Sequence, residues 1–216
     1  ILKEVNANEI KGVLADIGVS SLQLDQKERG FSYESENLDM RMDKDSPLSA
    51  FNVVNEYSAK ELERLLLEYG ELRNYKKIAS QILKNRPFNS AKELGETLKR
   101  DMPQGKKIHP ATLLMQAIRI EVNDELGELK ELLSALEIAG LSNAKIAIIS
   151  FHSLEDRIVK RFLAQRSGTG PRPSRHSPLI VDEHAPTFTV AERRPLRPED
   201  RETAMNPRSR SARLRS

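Results

Sequence analysis

Residues 146–162 read IAIISFHSLEDRIVKRF, and in this stretch an apolar run gives way to polar residues and then to a basic segment. A short run rich in Ile and bounded by polar residues is typical of a buried strand, which we predict over 144–151. Ser150, His152 and Ser153 lie where that strand ends and a helix begins. In open α/β sheets ligands bind outside the carboxyl ends of the strands, so these side chains are candidate site residues.

A second apolar run, IKGVLADI at residues 10–17, predicts another buried strand, followed by the polar loop GVSSLQLD with Gly18 at the turn. More than a hundred residues separate the two strands, whereas a crossover between parallel strands needs only about a dozen. We therefore predict an α/β fold with a mainly parallel sheet, interrupted by an inserted helical domain. The expected boundaries are 1–32 and 126–216 for the α/β core and 33–125 for the insertion.

Capping patterns predict where helices begin between these strands. Ser58 with Glu61, and Ser90 with Glu93, have the spacing of a residue that caps a helix and a carboxylate three positions later. A further helix is predicted through the apolar residues at helical spacing in 72–82.

The second half of the chain contains one longer helical pattern. Apolar residues in phase predict a single long helix from Pro110 to near Gly140. The alternating stretch TFTVAERR at 187–194 is a candidate third strand.

The composition excludes some kinds of site. The chain has no Cys and only four His, widely scattered, so neither a disulfide framework nor a metal site is expected. No apolar run reaches the length of about 18 residues that a membrane span needs, so we expect no membrane partner and a cytoplasmic protein.

Positive charge is concentrated toward the end of the sequence. Residues 157–216 carry 14 Lys and Arg against 6 Asp and Glu, a net charge of +8, and 13 of those cations are Arg. The planar fork of Arg suits phosphate and base contacts, which favours RNA as a partner. The alternative is a solvated tail, and for the stretch 167–178, rich in Pro, Ser and Gly, that alternative is preferred.

Five segments give the chain a close resemblance to one family. They are LADIGVSSLQLDQKERGFS (14–32), LDMRMD (38–43), HPATLLMQAIRIEVNDELGEL (109–129), ISFHSLEDRIVKRF (149–162) and NPRSRSARLR (206–215). In this order they resemble the RsmH family, also called MraW, of bacterial 16S ribosomal RNA cytosine-N4 methyltransferases. The resemblance implies S-adenosyl-L-methionine as cofactor, the decoding region of the small ribosomal subunit as substrate, and a Rossmann-like core interrupted by a helical substrate-recognition domain.

One feature of the family has no counterpart in the sequence. Family members carry a strand with a glycine-rich cofactor loop upstream of the segment that matches Ile1. We therefore expect the 216-residue chain by itself to bind S-adenosyl-L-methionine poorly and to be an inactive portion of an active enzyme. A homodimer is left open.

The resemblance assigns the cofactor contacts to Asp16 and Gln23. The group that orients the cytosine amine is left among Asp16, Ser20 and Ser21, because the stretch DIGV lacks the prolines and the aromatic of many amino-methylating enzymes. On the residues alone, Asp16 is equally well explained as a turn residue after a strand. Residues 16–23 and 150–156 are expected to face one crevice.

Substrate contacts are predicted on both parts of the chain. In the α/β core they are Ser150, His152, Ser153 and Arg157, where the alternatives are a His that caps the following helix and an ordinary charged helix face.

In the insertion the predicted contacts are Arg41, His109, Arg119 and Asn123. Arg41 is as well explained by an interdomain ion pair, and a packing network is the favoured alternative for Arg119 and Asn123. The run Arg208–Arg215 is a candidate RNA-backbone strip, with sheet-edge packing as its alternative.

Two other functions compete with methylation of ribosomal RNA. A non-catalytic RNA-binding or ribosome-assembly protein needs only the Arg-rich end. A methylase of small amines predicts no affinity for RNA, and the basic end of the chain counts against it.

Overall fold

The computed structural model describes residues 9–99, 110–141, 143–169 and 186–216. Two compact units are formed. The sheet unit contains residues 9–18 and the described part of Leu126–Ser216, and the helical unit contains the described part of Val19–Glu125. No described helix has both the length and the apolar character needed to cross a membrane.

The sheet unit is built on a mixed sheet of three strands in the order β1, β2, β3. Their bounds are β1 Gly12–Asp16, β2 Lys145–Ser150 and β3 Arg213–Arg215. The predicted parallel pairing of the first two is confirmed, with Gly12 opposite Lys145 and Asp16 opposite Ile149. The third strand runs antiparallel to β2.

Among the described residues, a core packs on only one face of this sheet. Two helices, α7 (Glu125–Ile138) and α8 (Ser153–Arg166), supply the buried Leu129 and Leu133 from α7 and the buried Val159 and Leu163 from α8. They cluster with residues at alternate positions of the strands, among them Ala15, Ile146 and Ile148. Successive strand residues point to opposite faces, so Leu14 lies on the other face, where it is 68% exposed.

The prediction of a strand over 187–194 is wrong. Val190 and Phe188 do pack inward, the latter with its ring centroid 5.5 Å from that of Phe162. The backbone of this segment does not join the ladder, because the position beside β2 is taken by β3. Periodicity missed β3, because its buried position is occupied by the charged Arg215.

The helical unit consists of successive short helices. They are α1 Ser21–Asp25, α2 Ala50–Glu56, α3 Ala59–Glu68, α4 Tyr75–Asn85, α5 Ala91–Leu98 and α6 Pro110–Asn123. The predicted helix starts are confirmed: Oγ of Ser58 accepts from the backbone N–H of Glu61, and Oγ of Ser90 accepts from that of Glu93. A single apolar cluster fills the interior of this unit.

The predicted single helix from Pro110 to Gly140 is wrong. It is two helices, α6 and α7, separated by Asp124, whose φ of 45° lies in the left-handed region. A residue with that φ cannot continue a right-handed helix. Apolar spacing continues through the break, so the sequence pattern did not reveal it.

The stretch after β1 also differs from the expectation of a loop. Residues 21–25 form α1, because Ser20 and Gln23 make a reciprocal capping box. The backbone N–H of Met40 donates to the carbonyl of Arg29, which ties residues before 33 into the helical unit. The assignment of 33–125 as the substrate-recognition domain stays a prediction.

Candidate active site

The carboxyl ends of β1 and β2 lie at the same edge of the sheet. The backbone N–H of Ile17 donates to the carbonyl of Ile149 at 3.1 Å, which extends the parallel pairing one residue past Asp16. The chain then turns at Gly18, with φ of 111°, where a Cβ would lie 3.4 Å from the ring of Phe151. The two strand-end turns are therefore packed against each other, and a side chain at Gly18 would crowd them.

Asp16 and Ser150 share this edge but point to opposite faces of the sheet. Asp16 is exposed, and its carboxylate has no hydrogen bond or ion pair with any residue that the structure describes. Ser150 is only 2% exposed, and its hydroxyl donates to the carbonyl of Arg213 at 3.4 Å. The structure therefore leaves Asp16 available to a ligand and engages Ser150 in the sheet.

His152 caps α8, which is the alternative that the sequence left open for it. Its Nδ1 accepts from the backbone N–H of Glu155 at 3.4 Å. In return the Glu155 carboxylate accepts from the backbone N–H groups of Phe151, at 2.8 Å, and of His152, at 3.2 Å. This capping box fixes the turn that leaves β2.

The His152 and Glu155 side chains are both buried, 8% and 3% exposed. Nε2 of His152 lies 3.2 Å from Oε1 of Glu155, an ion-pair distance without the angle of a hydrogen bond. Burial raises the pKa of Glu155, but the His152 imidazole and the two backbone N–H donors outweigh it and hold the pKa below its ordinary value. The carboxylate is therefore an anion at neutral pH and anchors the imidazole.

A second carboxylate of α8, Asp156, joins the helix to β3. Its oxygens accept from Nε of Arg215 at 2.7 Å and from Nη1 of Arg213 at 2.9 Å. Burial raises the pKa of Asp156, and the two guanidinium groups outweigh that effect and lower it. Arg213 and Arg215 are therefore engaged in sheet-edge packing, the alternative that the sequence left open for the run from Arg208. The RNA-strip interpretation stays a prediction.

The remaining predicted residues of α8 lie near its start. Ser153 is the first residue of the helix, and Arg157 is exposed one turn later. Their position next to the capping box places them close to the edge where β2 ends. His109 lies outside the described residues.

Arg41 makes an ion pair within the helical unit. Its Nε donates to Oδ1 of Asp39 at 2.6 Å, and its Nη1 donates to the carbonyl of Ser46 at 2.8 Å. The pKa of Asp39 is raised by burial, yet its contacts with Arg41 outweigh this and leave it lowered. Arg41 is thus held in an ion pair, but the interdomain pair offered as the alternative is wrong, because both partners belong to one unit and are two residues apart.

Arg119 and Asn123 belong to a packing network of the helical unit. The Arg119 guanidinium makes a two-point ion pair with Glu125, at 2.7 and 3.1 Å. The Asn123 amide donates to the carbonyl of Met40 at 2.9 Å and accepts from the backbone N–H of Met42 at 2.7 Å. These contacts hold the segment around Met40, whose φ is 60°, in its left-handed conformation.

Ser20, Ser21 and Gln23 form the start of α1. The Gln23 side-chain oxygen accepts from the backbone N–H of Ser20 at 2.9 Å, and Oγ of Ser20 accepts from the backbone N–H of Gln23 at 3.2 Å. Capping therefore uses the acceptors of both side chains. Ser21 is exposed at the first position of the helix.

The implied cofactor, S-adenosyl-L-methionine, carries a sulfonium and an ammonium. An exposed carboxylate without a protein partner is a suitable acceptor for such groups, and Asp16 provides it. The Gln23 side-chain nitrogen makes no hydrogen bond with the residues that the structure describes, which leaves two N–H donors for a ligand. The donor set present in the chain is compatible with the cofactor.

Comparison with known proteins identifies the family. A model described as the MraW methylase family matches residues 1–216. The chain belongs to the MraW methylase family. Within that family, a ribosomal RNA small subunit methyltransferase H from Sulfurimonas denitrificans is 58% identical over 215 residues, which are 100% of this chain and 70% of that protein.

Other relatives in the MraW family match the chain over a similar share of their length. Proteins of the same name from Aliarcobacter butzleri and from Nitratiruptor are 54% and 49% identical, over 96% and 98% of this chain and 69% and 70% of theirs. The family resemblance drawn from the five sequence segments is confirmed.

Sequence reasoning missed two features of this MraW chain. The first is the anchoring of His152 by Glu155, although a carboxylate three residues after a cap was a readable signal. The second is the tie between Asp156 and the arginines of β3. No local signal predicts it, since 57 residues separate Asp156 from Arg213.

Proposed function

We propose that this protein is an S-adenosyl-L-methionine-dependent methyltransferase that methylates the exocyclic N4 of a cytosine in 16S ribosomal RNA, in the decoding region of the small subunit. The family and the names of the relatives support methyl transfer to ribosomal RNA. The observation that carries the proposal is the carboxylate of Asp16, which has no partner among the described residues and lies at the edge where two parallel strands end.

Asp16 is proposed to orient the amine. The exocyclic nitrogen of cytosine is a weak nucleophile, because its lone pair is delocalised into the ring. A carboxylate that accepts one N–H of the amine fixes its orientation and stabilises the positive charge that develops on it. S-adenosyl-L-methionine supplies an electrophilic methyl group when it is bound.

His152 is proposed to position substrate and not to act as a base. Its Nδ1 is used as the helix cap, and Glu155 holds the ring in place. A protein base is not required, since a methylated amine that carries a positive charge loses its proton readily to water.

The helical unit is proposed to recognise the RNA substrate, and the sheet unit to hold the site of methyl transfer. In the helical unit the described Arg41, Arg119 and Asn123 are engaged with protein partners. We therefore assign them to the architecture of the recognition surface. The expected setting is the cytoplasm, where small subunits are assembled.

The proposal is tested with a methyl-transfer assay. The full-length product of the gene that carries this sequence is incubated with small ribosomal subunits that lack the modification, and methylated cytosine is measured. Asp16→Ala is expected to lower kcat by about 10²–10³-fold, the usual cost of removing one group that stabilises developing charge.

Glu28→Gln is the matched control. Glu28 is an exposed carboxylate on the same stretch of chain, its side chain has no hydrogen bond or ion pair with a described residue, and it has no place in the site. Its rate should equal that of the unaltered protein. Absence of any methyl incorporation by the unaltered protein would instead favour a non-catalytic RNA-binding or assembly role.

A further inference from the structure

A pocket lies in the sheet unit, between α8 and the segment around residue 192. Its volume is about 160 Å³, which is below the range of about 300–1,000 Å³ for drug-sized ligands. An apolar floor and a cationic rim line it. We call the apolar residues Leu163, Ala164 and Val190 the floor. The cationic residues Lys160, Arg193 and Arg215 are called the rim.

Two of the rim cations have no partner in the part of the chain that the structure describes. Lys160 and Arg193 are exposed, and neither side chain has a hydrogen bond or ion pair with a residue in the described ranges. Arg215 is fixed by its two-point contact with Asp156. Glu192 is the single carboxylate among the lining residues, so positive charge prevails around the opening.

The cationic rim and the apolar floor of this pocket suit a phosphate and the group attached to it. Unpaired Lys and Arg side chains bind phosphate oxygens, and apolar surface beside them accommodates a sugar or the face of a base. A protein helix or a folded domain is too large for a pocket of this volume. The groups fit one phosphate and part of its nucleoside.

We propose that this pocket is a subsite for one phosphodiester of single-stranded RNA, with Lys160 and Arg193 on the phosphate and the adjoining nucleoside on the floor of Leu163 and Val190. The inference rests on the proposed function, which makes RNA the substrate. Lys160 lies seven residues beyond Ser153 on α8, a distance of about 10 Å along the helix.

The test compares two double variants of the full chain. Lys160→Gln with Arg193→Gln removes both rim cations, and Arg161→Gln with Arg194→Gln removes the neighbouring cation in each segment. Both doubles lose two charges from the same two stretches of sequence, and Arg161 and Arg194 do not line the pocket. Binding of a single-stranded pyrimidine-rich RNA oligonucleotide is measured by fluorescence anisotropy over a range of salt concentrations.

The pocket double is expected to bind the RNA about tenfold more weakly at low salt. Its plot of log K against log salt should be less steep by about 0.7, the value for one lost phosphate contact on a single strand. The affinity of the neighbouring double for the RNA should stay within about threefold of that of the unaltered chain. An equal loss in the two doubles would overturn the subsite, since it would show only a general dependence on charge.

A second measurement requires no variant. Acetylation of Lys160 by an amine-reactive reagent, followed by mass spectrometry, should slow when the RNA oligonucleotide is added, whereas Lys130, exposed on α7, should react at an unchanged rate. Equal protection of the two lysines, or no RNA binding by the unaltered chain, would overturn the subsite. The methyl-transfer assay reports separately on the proposed function.

Discussion

The interior of each of the two units is stabilised by a different kind of interaction. Among the described residues, the apolar cluster of the helical unit has 22 buried members, whereas that of the sheet unit has five. The sheet unit instead fastens β3 to α8 with the ion pairs of Asp156, and it fastens α7 to α8 with the pair of Glu137 and Arg166. A unit with little apolar burial depends more on charge, so the two should respond differently to core truncation and to acid.

Truncation of the helical core should have the largest effect. Leu65 on α3 is fully buried in the apolar cluster. Leu65→Ala removes buried methyl groups and leaves a cavity, which is expected to lower the free energy of unfolding of this unit by about 4 kcal/mol. Hydrogen exchange read by mass spectrometry measures each unit separately.

The control is Leu67→Ala on the same helix, where the side chain is 47% exposed. It should cost less than about 1 kcal/mol. Similar losses for Leu65→Ala and Leu67→Ala would contradict the view that the apolar cluster stabilises the helical unit.

Loss of the Asp156 carboxylate should be the next largest effect. Asp156→Asn leaves Arg213 and Arg215 without a compensating charge, which typically costs about 3 kcal/mol or more for a buried pair. We expect the free energy of unfolding of the sheet unit to fall by about 3 kcal/mol, the lower end of that range. Arg213 is partly exposed, so solvent screens its interaction with Asp156. Exchange should accelerate in β3 and α8.

Glu131→Gln, at an exposed position of α7, removes the same charge from the same unit and should leave the exchange rates unchanged. If Asp156→Asn behaves like this control, the sheet unit does not depend on its ion pairs.

Acid should weaken the sheet unit through the same groups. The pKa values of Asp156 and Glu155 are lowered in the folded state, so each stabilises the fold above the pKa of the unfolded chain and loses that contribution as the pH falls through the folded value. The free energy of unfolding of the sheet unit should be nearly constant between about pH 5 and 7 and should decline below about pH 4.5.

Urea unfolding at a series of pH values measures this dependence. The decline should be shallower in Asp156→Asn, which has already lost one of the titrating groups. A slope identical to that of the unaltered chain would show that Asp156 does not carry the acid sensitivity.

Removal of a helix cap in the helical unit should have the smallest effect. Ser58→Ala leaves the N–H of Glu61 without its acceptor, at a cost of about 1 kcal/mol. Ser58→Thr keeps the hydroxyl and should retain most of the stability in the same urea experiment. A loss for Ser58→Ala as large as that for Leu65→Ala would show that local capping, and not the apolar cluster, limits this unit.

The predictions from sequence succeeded where the signal was local. The starts of α3 and α5 were readable because a cap and its acceptor are three residues apart. The parallel strands were readable as continuous apolar runs. The expectation that both are buried is wrong for one face of β1, where Leu14 is exposed. The break at Asp124 was not readable, because the apolar spacing continues across it.

The candidate site was predictable in part for the same reason. Asp16 and His152 follow apolar strands directly, and the rule on strand ends brings their segments to one edge. The role of Asn123 was left open, because its amide is satisfied by the backbone of Met40 and Met42, which only the folded chain brings within reach. The partners of Arg41 and Arg119 are only two and six residues away, but sequence alone did not show that these pairs form.

The sequence by itself determined the family, the parallel strand pair and the helix caps, because each depends on residues that are close together or on motifs that can be matched directly. Only the tertiary structure decided which charged residues are available to a ligand. It sets Arg215 against Asp156, 59 residues away, and leaves Asp16 without a partner among the described residues. The physical reason is that a charge becomes a structural or a functional group according to what folding places within about 3 Å of it.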